Sequence, residues 1–585
     1  MWLNFVFFVA DVEANVTRKL SVIAAIALVG FVAFAAERPP FVPITDKTLL
    51  NPAPEDWLMY SRTYDAQRFS PLKQITRQNV AQLKEVFKLE FPAGQQESIP
   101  LVYRGVMYVV VPPNAIRAVD ATTGEQIWEH KRPSGAARIK AIAMYDDMVY
   151  WTAPDGFVQA LDAKTGAVRW ETKTDGGMTS GVIVVEGKVL SGRACSPVGA
   201  NCYIAAHDAK TGKEVWRFMT AAQDSDPGGA SWAGSPQAGR MAATWGLPGG
   251  YDPQRRLVLW GVANPMPNTR RARHDGKFDA VPTSSPADLY SNSTVALNPD
   301  TGKLAWYFQH LPGDDWDQDY THERTLLRTA VNPNPKFVKW INPDVKRGEQ
   351  RDVSIMVGEG GGIFVNDRAT GQFLWATPFP FDAPNFLIKD IDVKTGRVHA
   401  NDSVMLKQPG ERHVVCSYNT RSYWPTAYHP GENALFVPYV DNCLDMTAAS
   451  ADGSVRERRV AIAREGSDPA TWVGLAKVNV STGEIQYIHR QHAPSNGAVL
   501  ATAGDLVFWG DLDHMFRAFD AGSGKMLWET KLNGPVQNST ITYAVNGKQY
   551  VAVLTGVGAV TSSLIQQAGL KTNSRYNSLS VFSLP

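Results

Sequence analysis

Four carboxylates crowd into the eight residues GDDWDQDY at 313–320: Asp314, Asp315, Asp317 and Asp319. In an extended segment alternate residues share a face, so Asp315, Asp317 and Asp319 are expected to point the same way. Carboxylates that converge without a basic partner either bind a cation or repel one another. Hard cations such as calcium want several oxygen ligands, and an Asn amide can be one of them. Asn264, in GVANPMPN at 261–268, is the natural candidate, and TWGLPGGYD at 244–252 stands out beside it. Composition alone reads the carboxylate stretch as a solvated acidic loop.

The frame for these segments is a phrase that recurs with constant internal spacing. It reads VDATTGEQIW at 119–128, LDAKTGAVRW at 161–170, HDAKTGKEVW at 207–216, LNPDTGKLAW at 297–306 and NDRATGQFLW at 366–375. A weaker copy ends at Tyr487, and FDAGSGKMLW ends at Trp528. In every copy an Asp or Asn precedes an aromatic by eight residues, with Gly halfway. Each copy predicts a strand, a tight turn and a strand, because Asp bonds nearby backbone amides and Gly accepts positive φ. Spacing of about 40–50 residues belongs to propellers with four strands per blade. The phrase predicts an all-β propeller in which each Trp packs flat against a neighbouring turn. Seven copies, plus a divergent blade between Trp375 and Tyr487 built on HVVCSYNT and NALFVPYVDNC, predict eight blades. The stretch from Phe218 to Leu257 reads as an insertion between strands.

Stacked repeats grow one continuous core, so 585 residues are read as one domain. A formal charge of +1 gives no reason to expect nucleic acid as a partner. Arg18 and Lys19 precede the apolar run LSVIAAIALVGFVAFA, and Ala33-Phe34-Ala35 fits a cleavage site. Residues 1–35 therefore read as a secretory signal and 36–585 as the propeller. A misassigned start codon accounts for residues 1–17, and an uncleaved anchor is the alternative. Export to the periplasm makes disulfides plausible, and proximity pairs Cys195 with Cys202 and Cys416 with Cys443. The basic stretch TRRARHDGKFDA at 269–280 reads as a solvated loop, with a docking patch as the alternative.

The repeat, with TWG, GVANP, LYSNSTVALNPDTGKLAW and WDQD in this order, resembles the quinoprotein alcohol dehydrogenases, the PQQ-dependent methanol and ethanol dehydrogenases with an eight-bladed propeller. The resemblance runs from about Trp57 to Val560. It implies Asp317 as catalytic base, Asn264, Asp317 and Asp319 as metal ligands, and Trp245 as the floor beneath PQQ. Glu97 matches an acidic PQQ contact, and Lys140 stands where the family usually has Arg. The implied reaction is metal-assisted hydride transfer from an alcohol to PQQ, with calcium or a lanthanide as the cation. No C-x-x-C-H occurs, so a separate cytochrome c is the expected electron acceptor. A homodimer is left open.

Four positions depart from the family pattern. Pro197 stands at the Glu metal ligand, and Gly360 at the Arg or Lys that bridges the quinone. PSGAARIK lacks the adjacent cysteines, and Ser495 replaces a Trp. The competing functions are a propeller scaffold without quinone and a quinoprotein acting on a polyol, aldehyde or polymer.

Overall fold

All seven copies of the phrase fold alike, each as the hairpin joining the third and fourth strands of a four-stranded antiparallel unit, to which Trp340–Ile341 and Phe69–Ser70 each add a fifth strand in one sheet. The computed structural model describes residues 40–136, 138–195, 202–449, 453–558, 560–572 and 576–585. Phe41–Pro585 is one compact unit. The signal segment and Pro197 lie outside the described residues. The seven sheets follow one another in the chain at 101–131, 143–173, 182–219, 250–309, 325–377, 427–491 and 500–531.

The turn chemistry is the one the residue types dictate. Asp162 Oδ1 accepts the amide hydrogens of Lys164 and Thr165, both at 2.9 Å. Asn298 does the same for Asp300 and Thr301. In the six copies that end in Trp the strand register shifts just before the indole, as between Ala118/Val119 and Ala206/His207. This bulge re-aims the ring toward the next sheet. The Gly of the following copy receives it. A Cβ on Gly166 would lie 2.6 Å from Trp128, and one on Gly212 would lie 2.4 Å from Trp170. Trp128 and Trp170 also donate Nε1–H to the carbonyls of Ala163 and Ala209, at 3.0 and 2.8 Å.

The unit without a phrase is not where the sequence placed it. Ala434–Val440, within NALFVPYVDNC, is the second strand of the sheet that ends at Tyr487. Arg412–Cys416 joins Asn442–Thr447 and Arg458–Ala463 in a separate three-stranded sheet. The sheet that lacks the phrase joins the two ends of the described chain. Ile541–Val545, Lys548–Thr555 and Asn577–Ser583 take Lys84–Phe91 as their fourth strand. An N-terminal strand fills that place, so no hairpin and no phrase exist there. Of the 218–257 stretch read as an insertion, 220–249 lies between the third and fourth sheets, while Gly250–Asp252 is the first strand of the fourth sheet.

Burial gives each sheet a direction. First strands such as Val182–Val185 are wholly buried, while fourth strands such as Val168–Lys173 alternate exposed and half-buried. First strands of neighbouring sheets touch, as Ala143–Tyr145 touches Val182–Val185. Segments that enter first strands therefore emerge together at one end of the assembly.

Gly212→Ala is expected to destabilise the protein by about 3 kcal/mol in chemical denaturation, from a left-handed φ and collision with Trp170. Gly410→Ala has equally positive φ but nothing within 4 Å, and should cost about 1 kcal/mol. Equal losses would remove indole docking as the reason for the glycine.

Candidate functional site

The residues picked out in the sequence sit at that shared end. Glu97 precedes the first strand Leu101–Tyr103, Lys140 precedes Ala143–Tyr145, and Trp245 precedes Gly250–Asp252. Asp317 and Asp319 precede Thr325–Val331. Asn264 follows the second strand Leu257–Gly261, which runs antiparallel to its neighbour and so returns to the same end.

The carboxylate loop is not a solvated acidic loop. Asp314 and Asp315 are fully buried, and each caps backbone amides. Asp314 accepts from the amide of Gln318 at 2.8 Å and from Asn292 Nδ2 at 3.0 Å. Asp315 accepts from the amides of Arg270 and Leu406, both at 2.7 Å. The common face expected for Asp315, Asp317 and Asp319 is broken because Asp317 takes a left-handed φ of 62°. A non-glycine residue held there is strained and needs over-determining neighbours. Asp315 turns into the support, while Asp317 and Asp319 both meet Asn264. Asn264 Nδ2 donates to Asp317 Oδ1 at 2.9 Å, and its backbone amide donates to Asp319 Oδ1 at 2.9 Å. Trp245 Nε1 donates to Asp319 Oδ2 at 2.7 Å.

The basic stretch at 269–280 is part of this support rather than a solvated loop. Arg270 is fully buried in the short helix Arg270–Arg273, and Arg273 and His274 are buried beside it. Arg273 Nη2 donates to the Asp314 carbonyl at 2.7 Å and Arg270 Nη1 to that of Gly313 at 3.3 Å. Arg273 also pairs with buried Asp288 at 3.1 Å. Buried guanidinium groups persist because carbonyls and a carboxylate satisfy them.

Lys140 and Glu97 form a buried pair at 2.9 Å. The ammonium lies 5.0 Å from the ring centroids of both Trp245 and Tyr423. Burial pulls its pKa below the usual lysine value, against the opposing charge of Glu97. Tyr423 and His322 stand edge-on to Trp245 at 6.1 and 6.5 Å. The helix Thr561–Gln567 packs on the same aromatic group through Leu564.

One carboxylate escaped the sequence reading. Glu359, beside Gly360, is buried, and its Oε2 accepts the Asp319 amide at 3.1 Å. The signal was the acidic residue in GEGGGIFV. Burial, reinforced by the charge of Asp317, pushes Asp319 up to about 7. Burial and the charge of Asp319 raise Glu359 well above the usual carboxylate range. Asp317 differs, because its side chain is 40% exposed and reaches the opening. Among the described residues no group of three or more His, Cys, Asp or Glu side chains is arranged to hold a metal ion. Asn264 turns its amide nitrogen toward Asp317, so a cation there would need the amide reversed. Ser495 is buried and donates to the Gly510 carbonyl at 2.6 Å, away from any ligand role in this arrangement. The disulfides Cys195–Cys202 and Cys416–Cys443 are present as paired from the sequence.

Residues 57–143, 175–378 and 473–551 match the sequence profile of the PQQ glucose/ethanol/alcohol dehydrogenase β-propeller domain. The chain belongs to this family. It is 29% identical to the quinohemoprotein alcohol dehydrogenase ADH-IIG of Pseudomonas putida, over 95% of this chain and 80% of that one. It is 30% identical to the quinoprotein alcohol dehydrogenase PedE of the same species, over 86% of this chain and 85% of that one. Among solved structures it resembles a europium-containing methanol dehydrogenase, with a TM-score of 0.78 and 26% identity over 92% of this chain and all of that one. The protein is thus a PQQ-dependent alcohol dehydrogenase by family, on a propeller fold.

The residues present fit the cofactor of that family. PQQ is flat and polyanionic, and the half-buried Trp245 offers it an aromatic face beside the Lys140 ammonium. The hydroxyls of Thr420 and Ser422 are buried without hydrogen-bond partners, the condition of donors and acceptors that await a polar ligand. By donor type Asp317, Asp319, Glu359 and Asn264 suit a hard cation.

A carboxyl whose pKa rises on folding binds protons in the folded state that the unfolded chain has released. Its effect is least unfavourable below the unfolded value near 4, and stability falls as pH rises toward the folded value. With Asp319 at about 7, cofactor-free protein should melt lower at about pH 8 than at about pH 5.5, and Glu359→Gln should flatten that slope. Calcium or lanthanide that binds here should raise the melting temperature at the higher pH. A melting temperature that climbs from the lower to the higher pH would contradict the buried carboxyl pair.

Proposed function

We propose that this chain is an exported dehydrogenase that oxidises an alcohol to an aldehyde or ketone, with Asp317 as the general base. The observation that carries this reading is the contrast among the carboxylates: Asp317 alone is open to substrate, while Asp314, Asp315, Asp319 and Glu359 are buried. The Asn264 amide holds Asp317 Oδ1 at 2.9 Å and leaves its other oxygen toward the opening. That oxygen takes the hydroxyl proton as the substrate carbon gives up hydride. PQQ, when bound, would supply the hydride acceptor, and calcium or a lanthanide would supply Lewis acidity. Trp245, Lys140 and Glu97 would hold PQQ, and Asn264, Asp317 and Asp319 the cation. The apolar cluster of Tyr423, Trp424 and Leu564, against which Trp245 packs, would help to exclude water from a bound quinone.

The eight sheets, each built on a four-stranded antiparallel unit, are read as eight blades, the last closed by the N-terminal strand. Two disulfides and the apolar run after Lys19 support export to the periplasm. Electrons pass to a separate cytochrome c, since the sequence carries no covalent haem motif. The gathering of Asn264, Asp317, Asp319 and Trp245 at one point argues against a scaffold, which has no use for it.

Purified protein loaded with PQQ and calcium or a lanthanide should show quinone absorbance and reduce a dye with alcohols. Asp317→Asn should lower kcat by about 10²–10⁴-fold while PQQ still binds. Absence of quinone binding under every metal would leave the scaffold reading standing. Asp319→Ala should lose bound metal, and unchanged metal content in that variant would exclude Asp319 as a ligand.

A further inference from the structure

The bridging cation that the family pattern expects at Gly360 has no room there. A Cβ on Gly360 would lie 2.5 Å from Leu387 Cδ2 and 3.2 Å from Gln318 Cβ. Leu387 is fully buried and belongs to the segment leading into the hairpin Ile388–Asp392/Arg397–Ala400, so the obstruction is a packed side chain. Position 360 is therefore built to stay bare. Its neighbours still present a negative site, since Asp317, Asp319 and Glu359 stand together while Lys140 is committed to Glu97.

One cation reaches that site from elsewhere. Arg459 Nη2 lies 3.8 Å from Asp317 Oδ2, and it donates to the carbonyl of Trp316, the residue just before the base. Among the described residues no other Lys, Arg or His side chain forms an ion pair within 4.0 Å with the carboxylates of Asp314, Asp315, Asp317, Asp319 or Glu359. Arg459 belongs to the strand Arg458–Ala463 of the small three-stranded sheet, paired with Met446. Alternation along the strand sends Arg458 to the other face, where it pairs with Asp445 at 2.9 Å. Cys416 and Cys443 are directly opposed in that sheet and are disulfide-bonded, which pins the platform that carries Arg459. Leu387, the disulfide and Arg459 all lie in 379–472, between the stretches that match the family profile.

We propose that Arg459 is the cationic positioning residue of this active site, brought by the inserted sheet to replace the one excluded from position 360. It fixes the backbone in front of Asp317, places positive charge beside the base and would lend that charge to a bound quinone. The proposal rests on Asp317 being the base.

The test uses full-length protein loaded with PQQ and the metal that supports activity. Arg459→Ala is expected to lower kcat by about 100-fold, the usual loss for one preorganised charged contact, with KM for the alcohol changed less than about threefold. Its affinity for PQQ, read by quenching of tryptophan fluorescence, should weaken by about tenfold. Added guanidinium should restore at least about tenfold of the lost kcat, and Arg459→Lys should fall between Ala and the native protein. Arg458→Ala should stay within about twofold. The proposal is overturned if Arg459→Ala keeps native kcat and PQQ affinity. It is equally overturned if the loss is matched by Arg459→Lys and untouched by guanidinium in variants with native melting temperature. A native protein that shows no activity under any metal would instead strike at the function proposed above, a result distinct from either.

Discussion

Everything in this molecule hangs on an indole lying against a glycine. Trp128 covers Gly166, Trp170 covers Gly212, Trp216 covers Gly302 and Trp306 covers Gly371, each leaving no room for a Cβ. Each contact joins the fourth strand of one sheet to the outer hairpin of the next, so the sheets are locked in sequence at their outer edges. Their first strands are thereby brought together and are mostly buried. A row of sheets needs closure to avoid a raw edge. Pairing of Lys84–Phe91 with Asn577–Ser583 supplies it, with Phe87 and Leu89 taking the place of an indole against Gly124.

That arrangement makes one end of the structure a meeting point. Every segment entering a first strand arrives there, and so do the links between second and third strands. Residues far apart in the chain, Glu97, Lys140, Trp245, Asn264, Asp317 and Glu359, become neighbours for this reason alone. The chemistry of the place is set by unequal burial. Four carboxylates are withdrawn into the protein and used as caps or pushed by burial toward higher pKa, while Asp317 is left at the opening under backbone strain. The buried arginines at 270 and 273 serve the same end, since they clamp the carbonyls from which the Asp317 turn springs.

The repeat phrase, the turn residues and the cysteine pairs were legible from the sequence because each rests on local rules: Asp and Asn bonding to amides two and three residues on, Gly at positive φ, strands of apolar runs. Family order and spacing nominated Asn264, Asp317, Asp319 and Trp245 as candidates, and the fold brings these four together. The phrase-free sheet was misplaced because its fourth strand comes from the other end of the chain, a pairing no local pattern announces. The acidic and basic stretches were misread as solvated for a similar reason. Composition says that charges prefer water, but partners supplied from remote segments can satisfy them in the interior.

The sequence by itself thus determined the kind of sheet, the repeated turn and the pairing of the cysteines, since those depend on residue types within short stretches, and it nominated candidate site residues. Only the tertiary structure decided where the ring closes, why position 360 must be glycine, that Glu359 joins the carboxylates and that Arg459 reaches Asp317. These depend on which distant segments share the same few cubic ångströms, and packing settles that after the local elements have formed.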